Sequence, residues 1–190
     1  MAKYGARYIK FAPFASTNPE PENAYPNYGA AVDMSKLVKV SDNPSVAEGK
    51  LYGDDELAEY ASEFTEADVD VEVTEVSNAM GAAVLGATLG TDGDLEQGGD
   101  DAAPYGGLGF ITCKVINGVK GYAGVYYPKV KAQIQGEEYE TKGDSINFVT
   151  GKLRFKATQA ANGKWKVTSA VKTTYAAAKT WLDGKLGAST

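Results

Sequence analysis

Short stretches in which apolar and polar residues alternate strictly constrain the fold of this chain more than any other feature. In Val69-Asp70-Val71-Glu72-Val73, valines alternate with carboxylates, and Lys129 to Ile134 alternates in the same way. A period of two is typical of a strand with one buried face. The pair Asn117-Gly118 is the strongest signal for a two-residue hairpin, because both turn positions need a positive φ. The sequence therefore predicts a mainly antiparallel β protein.

Two segments show the spacing of helices instead. Asn78 to Leu85 fits a short helix, with Ser77 as its N-cap and Gly86 to end it in the left-handed conformation. A longer helix near the C-terminus begins after Thr174. Its apolar stripe comprises Tyr175, Ala178, Trp181, Leu182 and Leu186. We expect a mainly β fold, an antiparallel β-sandwich or partly open barrel, with one flanking C-terminal helix, one short helix and long loops.

The first thirty residues differ from the rest in composition. Four prolines, Pro13, Pro19, Pro21 and Pro26, lie among aromatic residues. Prolines at this density disfavour helices and central strands, which predicts an extended N-terminal arm over residues 1–30. A single β-sandwich domain is expected over residues 31–190, with long loops at 41–66 and 90–107. Within the first loop, the spacing of Leu57, Tyr60 and Phe64 also fits a helix, and an extended hairpin is the alternative.

Charge is segregated along the chain. Residues 1–100 hold 19 acidic and 6 basic residues, whereas residues 101–190 hold 6 acidic and 13 basic residues, within a net charge of −6. If folding keeps the two kinds on different faces, copies of the chain attract one another head to tail. Such heterologous contacts close into rings or continue as filaments. This pattern indicates a protein that builds an assembly.

Composition also argues against several classes of function. The chain has no histidine, the commonest general base, and one cysteine, Cys113, which is expected to be a buried structural thiol. No apolar run approaches the roughly 20 residues that span a bilayer, and the N-terminus lacks the apolar stretch of a secretory signal. A pI near 4.8 argues against general, tight nucleic-acid binding.

Three groups of residues are candidates for ligand or catalytic sites. The segment from Asp92 to Glu96 resembles the start of a calcium loop but lacks the glycine and glutamate that an EF-hand needs at its sixth and twelfth positions. Adjacent Asp54 and Asp55 fit a carboxylate pair, although solvated or capping roles are commoner. The alternative function is a carbohydrate-binding module in which Tyr122, Tyr126 or Tyr127 stacks on sugars. We predict no enzyme activity, metal or cofactor.

The ordered motifs resemble the major tail proteins of long-tailed bacteriophages of the phi13 type, which form the tail tube. The resemblance runs from about residue 30 to the C-terminus. The matching segments are residues 51–55, the strand 69–73 with the short helix after it, residues 107–110, 117–119, 126–131 and 143–148, and Trp165 with the closing helix through Trp181.

This resemblance implies a β-sandwich subunit in rings, typically hexameric, that stack into a hollow tube for genome passage in the virion. The tube is assembled in the host bacterial cytoplasm. Its partners would be further copies, other tail proteins and DNA as non-specific cargo, with no membrane. Asp70 and Glu72 are the candidate lumen-facing residues, where carboxylates without basic neighbours would repel DNA. The candidate ring-stacking residues are Tyr52, Asp54, Asp55, Asp92, Asp94, Asp100 and Asp101.

Overall fold

Antiparallel strands account for most of the chain, as the alternating patterns predict. A computed structural model describes residues 2–54, 56–116, 118–136, 139, 141 and 149–188. Its principal strands are β1 (Ala2–Pro13), β2 (Val32–Asp33), β3 (Leu37–Gly53), β4 (Glu56–Val73), β7 (Tyr105–Ile116), β8 (Val119–Gln133), β9 (Gly151–Thr158) and β10 (Val167–Thr168). The short pair β5 (Thr88–Leu89) and β6 (Leu95–Glu96) lies in the connection between β4 and β7.

The main sheet has the order β2-β1-β7-β8-β9-β4-β3, with β10 also paired to β8. The sheet folds over on itself, because β1 contacts β3 and one buried core joins both halves. Phe11 of β1 stacks on Phe155 of β9 in this core, with ring centroids 5.9 Å apart. The result is the predicted β-sandwich-like, partly open barrel.

The two helices lie where the caps predict. Helix α1 (Asn78–Leu85) follows β4, and Ser77 accepts a hydrogen bond from the backbone N–H of Met80. Gly86 ends the helix at φ 74°. Met80 and Val84 pack into the core, so α1 covers the barrel end at which β4 ends and β7 begins.

Helix α2 (Tyr175–Lys185) packs on the outer face of β7 and β8. Thr174 caps it by accepting from the backbone N–H of Ala177, and Leu182 is fully buried. Gly109 and Gly124 allow this close approach: a Cβ at Gly109 would lie 2.4 Å from Leu182 Cδ1, and one at Gly124 would lie 2.5 Å from the Trp181 ring. The predicted apolar stripe therefore does face the sheet.

The expectation of an N-terminal arm over residues 1–30 is wrong for its first part. Strand β1 lies inside the sheet, between β2 and β7. The buried carboxylate of Asp183 on α2 accepts hydrogen bonds of 2.9 and 3.1 Å from the Tyr8 hydroxyl and lies 3.2 Å from Lys10 Nζ. These contacts tie β1 to the C-terminal helix, so β1 belongs to the domain that was expected to begin at residue 31.

The expected loops also need correction. Residues 41–66 form most of two paired strands, so the extended alternative for this segment is right and both the loop and the helix are wrong. Residues 90–107 contain β6 and the start of β7, with irregular chain between them. Asp55, Asn117 and the segment 143–148 that entered the resemblance lie outside the described residues.

Candidate assembly surfaces

The β3–β4 hairpin extends well beyond the barrel. β9 pairs with β4 only over residues 67–73, whereas β3 pairs with β4 as far as Gly53 and Glu56. The described residues of the free part, from Asn43 to Glu63, are all exposed. At about 3.3 Å per residue, the stretch from Val46 to Tyr52 alone spans about 20 Å. A two-stranded hairpin without a core is only marginally stable in water.

One face of the projecting hairpin is partly apolar, with the charged Glu48 and Lys50 among its side chains. Because β3 alternates regularly here, Val46, Lys50 and Tyr52 share a face, and their cross-strand partners are Phe64, Tyr60 and Leu57 respectively. Phe64 stacks on Trp165 at 4.5 Å where the hairpin leaves the barrel. Farther out, Tyr52 is 63 % exposed and Leu57 is 53 % exposed. The face that is buried within the barrel therefore continues, uncovered, along the hairpin.

The opposite face of the hairpin is more polar. It carries Ala47 paired with Glu63 and Leu51 paired with Glu59. Asp54 begins the turn at φ 49°, a left-handed conformation that aspartate tolerates better than most residues. Tyr52 and Asp54 thus lie at the tip of a projection, where a stacking contact can be made, and their predicted companion Asp55 is not described.

Asp70 and Glu72 lie on the outer face of β4, but they are not a bare row of carboxylates. Asp70 lies 2.6 Å from Nε of Arg154, and Glu72 accepts a hydrogen bond of 2.5 Å from Thr150. The cross-strand neighbours of Glu72 are Lys39 and Lys152.

The same pairing continues along the strand. Lys156 forms ion pairs with Glu66 and Asp68. The expectation that this face lacks basic neighbours is therefore wrong: β9 places a row of cations beside the carboxylates, because its alternation is in register with that of β4.

The acidic residues Asp92, Asp94, Asp100 and Asp101 lie at the other end of the barrel, in the connection from α1 to β7. Asn78, at the start of α1, donates a hydrogen bond to the Gly93 carbonyl, and Asp101 accepts one from the Gly98 N–H. Asp92, Asp94 and Asp100 are exposed. The two predicted stacking groups therefore lie at opposite ends of the barrel, because the tip of β3–β4 and the start of β7 are at opposite ends of the sheet.

A groove lined by both polar and apolar residues lies near this acidic connection. It encloses about 510 Å³ between the end of α1, the end of β8 and the start of β9. Its wall includes Val76, Leu85 and Leu153 together with the strongly exposed Ile134 and Tyr139. The chain thus carries a partly apolar projection at one end of the barrel and a groove with a partly apolar wall at the other.

The tyrosines considered as a sugar platform do not form one. Tyr126 and Tyr127 are buried, and Tyr122 packs edge-on against Tyr175 of α2. The Tyr126 hydroxyl shares a very short hydrogen bond with Tyr28, and burial raises the pKa of both phenols. Burial also raises the pKa of Tyr127, next to Asp42. The packing explanation for these residues is confirmed, which removes the basis for the carbohydrate-binding alternative.

The described residues contain no cluster of three or more histidine, cysteine, aspartate or glutamate side chains placed to hold a metal ion. Cys113 is buried, as expected, and accepts a hydrogen bond of 3.4 Å from Arg7. In the same part of the chain, neither helix is long and apolar enough to cross a bilayer.

Sequence reasoning missed the apolar face of the hairpin. Leu57, Tyr60 and Phe64 were considered at helical spacing, and their cross-strand partners on β3 were not considered. The sequence signal for this face is the alternation of Val46, Glu48, Lys50 and Tyr52 on β3. Because two of these four residues are charged, the alternation does not indicate a strand with a buried face. Comparison with known proteins adds no further guide: neither a protein-family model nor a curated protein sequence matches this chain.

Proposed function

We propose that this chain is a structural protein that assembles with its own copies, through unlike surfaces, into stacked rings that form a tube. The proposal extends the resemblance to phage tail-tube proteins. It assigns the chain to a virion, with rings that are typically hexameric, DNA as the passing cargo and other tail proteins as further partners.

The observation that carries the proposal is the uncovered apolar face of the β3–β4 hairpin. Exposed apolar patches of this kind, on monomers that must remain soluble, mark interaction sites. Long edge hairpins are a hazard for uncontrolled aggregation, and a ring or tube uses the same edge in a controlled way. The groove of about 510 Å³ at the far end of the barrel includes apolar side chains that a neighbouring copy can offer to it.

Fold and charge support the same conclusion. A mainly β sandwich with a C-terminal helix is the architecture that the resemblance implies. The acidic and basic halves of the sequence favour attraction between unlike faces of neighbouring copies.

Asp70 and Glu72 remain our candidates for lumen-facing residues, but the physical argument for them is now the pairing of their charges with neighbouring cations. Their strand face carries four carboxylates of β4 beside the cations of β9 and Lys39. A balanced surface of paired charges binds a polyanion weakly, since no cluster of unopposed cations is available to displace phosphate counterions. Passage of DNA would then depend on near-neutrality of the wall.

Negative-stain electron microscopy of the purified chain over a range of concentrations tests the proposal. We expect rings or tubes whose abundance rises with concentration and falls with added salt, because screening weakens attraction between exposed charges. A chain that stays monomeric at every concentration and salt level, measured by sedimentation velocity, would refute it.

A further inference from the structure

The outer face of β4 carries a row of carboxylates that β9 neutralises over only part of its length. Beside the barrel, Asp68, Asp70 and Glu72 each have a cation of β9 as their cross-strand partner. β9 pairs with β4 no farther than Ala67, and no other described strand takes its place beyond that residue. The row of carboxylates therefore continues along the projecting hairpin, where one edge of β4 is open.

On the hairpin, this row has no counter-charge. Its members there are Glu56, Glu59 and Glu63, which are all exposed. The cross-strand partners of Glu59 and Glu63 on β3 are Leu51 and Ala47, which carry no charge. Within the described part of the chain, none of the three glutamates takes part in an ion pair. We call this stretch of β4, from Glu56 to Glu63, the acidic edge.

A basic surface lies on the outer face of β1 and β8, next to α2. Its three exposed cations are Arg7, Lys120 and Lys179. Lys120 Nζ lies 5.9 Å from the ring centre of Tyr4 and 5.6 Å from that of Tyr122. Arg7 Cζ lies 5.7 Å from the ring centre of Tyr122 and 5.0 Å from that of Tyr175. Cation–π attraction at such distances favours these orientations, so the positive charges are held in place at the surface.

The three cations of the basic surface have no acidic partner in the part of the chain that the structure describes. Lys179 Nζ lies 4.8 Å from the ring centre of Tyr8, and none of the three takes part in an ion pair. The Asp183 side chain next to Tyr8 is only 4 % exposed and forms its ion pair with Lys10. The basic surface therefore presents fixed positive charge that no described carboxylate offsets.

The acidic edge and the basic surface are complementary in charge, and no ion pair joins them within one chain. Near the barrel, carboxylates of β4 already bind cations placed beside the strand, as Asp70 binds Arg154 at 2.6 Å. Cations from another molecule can repeat this arrangement farther along the same strand. A nucleic acid suits the basic surface less well, because Arg7 and Lys120 both lie over the Tyr122 ring, where a base would have to stack.

We propose that the acidic edge of one copy binds the basic surface of the next, with its glutamates against Arg7, Lys120 and Lys179. This inference rests on the proposed function and identifies two complementary surfaces for one of its contacts. Because the two surfaces differ, the contact is heterologous and repeats from copy to copy. It lies on the open side of β4, so Leu51 on the neighbouring strand β3 is outside it.

Charge reversal at exposed positions tests the inference without disturbing the core. The variant Lys120→Glu/Lys179→Glu should raise the concentration needed for half-maximal assembly about 10-fold, since exposed ion pairs are individually weak and two of them become repulsive. Glu59→Lys/Glu63→Lys should have the same effect from the other side of the contact. Sedimentation velocity over a concentration series measures both shifts.

The matched control is Lys36→Glu/Lys164→Glu. It makes the same change in net charge as the basic-surface variant, at exposed positions outside that surface, and should assemble like the parent chain. Circular dichroism and thermal unfolding show whether each variant keeps the parent fold. An equal loss of assembly in this control would mean that net charge alone governs association, which would overturn the inference.

The decisive variant carries both reversals, Lys120→Glu/Lys179→Glu with Glu59→Lys/Glu63→Lys. It should regain most of the lost assembly, because attraction is restored with the signs exchanged. If reversal of the basic surface leaves assembly unchanged, or if the combined variant is no better than either pair, the inference is overturned while the proposed function stands. If the parent chain does not assemble at all, the proposed function itself fails.

A fluorescent single-stranded DNA oligonucleotide separates a protein partner from a nucleic acid. We expect the parent chain to bind it weakly, and expect an excess of it to reduce assembly of the parent by competing for the basic surface. Tight oligonucleotide binding that Lys120→Glu/Lys179→Glu abolishes, without any change in assembly, would assign the surface to nucleic acid and contradict the proposal.

Discussion

The apolar face of the β3–β4 hairpin gives the sharpest quantitative prediction. Replacing Tyr52 and Leu57 by threonine removes most of the apolar area at the tip while keeping residues with good strand propensity. The two residues are direct cross-strand partners, so the change is confined to one spot on one face. The monomer should keep its stability, because both side chains are largely exposed in it.

The size of the effect follows from the exposed area. Full burial of a leucine or tyrosine side chain is worth about 1.5–3 kcal/mol. Since Tyr52 is 63 % and Leu57 is 53 % exposed, covering them in an assembly recovers about half of that for each. The double substitution therefore costs about 2 kcal/mol per contact, which corresponds to a roughly 30-fold weaker association.

Sedimentation velocity over a concentration series measures this as a shift in the onset of assembly, with circular dichroism to confirm the fold. Leu51→Thr is the matched control, because Leu51 is 61 % exposed on the opposite face of the same hairpin. A double variant that assembles at the parent concentration would refute the reasoning, as would an equal loss in Leu51→Thr.

Three further outcomes follow from the packing. Burial raises the folded-state pKa of Tyr126 and Tyr127, so the free energy of unfolding should be constant up to about pH 10. Above that pH it should fall by about 1.4 kcal/mol per pH unit for each of the two tyrosines. Denaturant unfolding followed by tyrosinate absorbance would detect the fall. Gly106→Ala should lower the free energy of unfolding by about 1–3 kcal/mol, because its Cβ would lie 2.5 Å from a backbone oxygen of β1, whereas Gly49→Ala, with no atom within 4 Å, should not. The buried thiol of Cys113 should react with a thiol reagent only at the rate of unfolding, and fast labelling of the native chain would contradict its burial.

Residues whose own side chains enforce local structure were predictable from the sequence. Thr174 and Ser77 cap their helices in the expected way, since a hydroxyl at that position satisfies a free N–H regardless of the rest of the fold. The valines of β4 face the core because their alternation leaves one register that buries them.

Strand β1 was missed because its alternation is interrupted. Gly5 and Tyr8 have φ values of 61° and 57°, and the pairing with β7 shifts register beside each of them. Each interruption changes which residues face the core, so no period of two is visible over the whole strand. The prolines that suggested an arm begin only at its last residue, Pro13.

The candidate site was only partly predictable for a related reason. Asn43-Pro44 is a dipeptide typical of turns, but Pro44 lies within β3, at the edge of the described sheet, where a missing N–H is tolerated. The cation neighbours of Asp70 and Glu72 come from β9, more than 75 residues away in sequence, and their register cannot be read from either strand alone.

The two ends of the barrel are chemically unlike: α1 and an acidic connection close one, and the β3–β4 hairpin projects from the other. Any array made by repeating one contact between such ends has a direction, like an actin-type polymer and unlike a symmetric dimer. Its first and last subunits present different free surfaces, so growth, termination and attachment can each be controlled by a different protein without any change in the subunit itself.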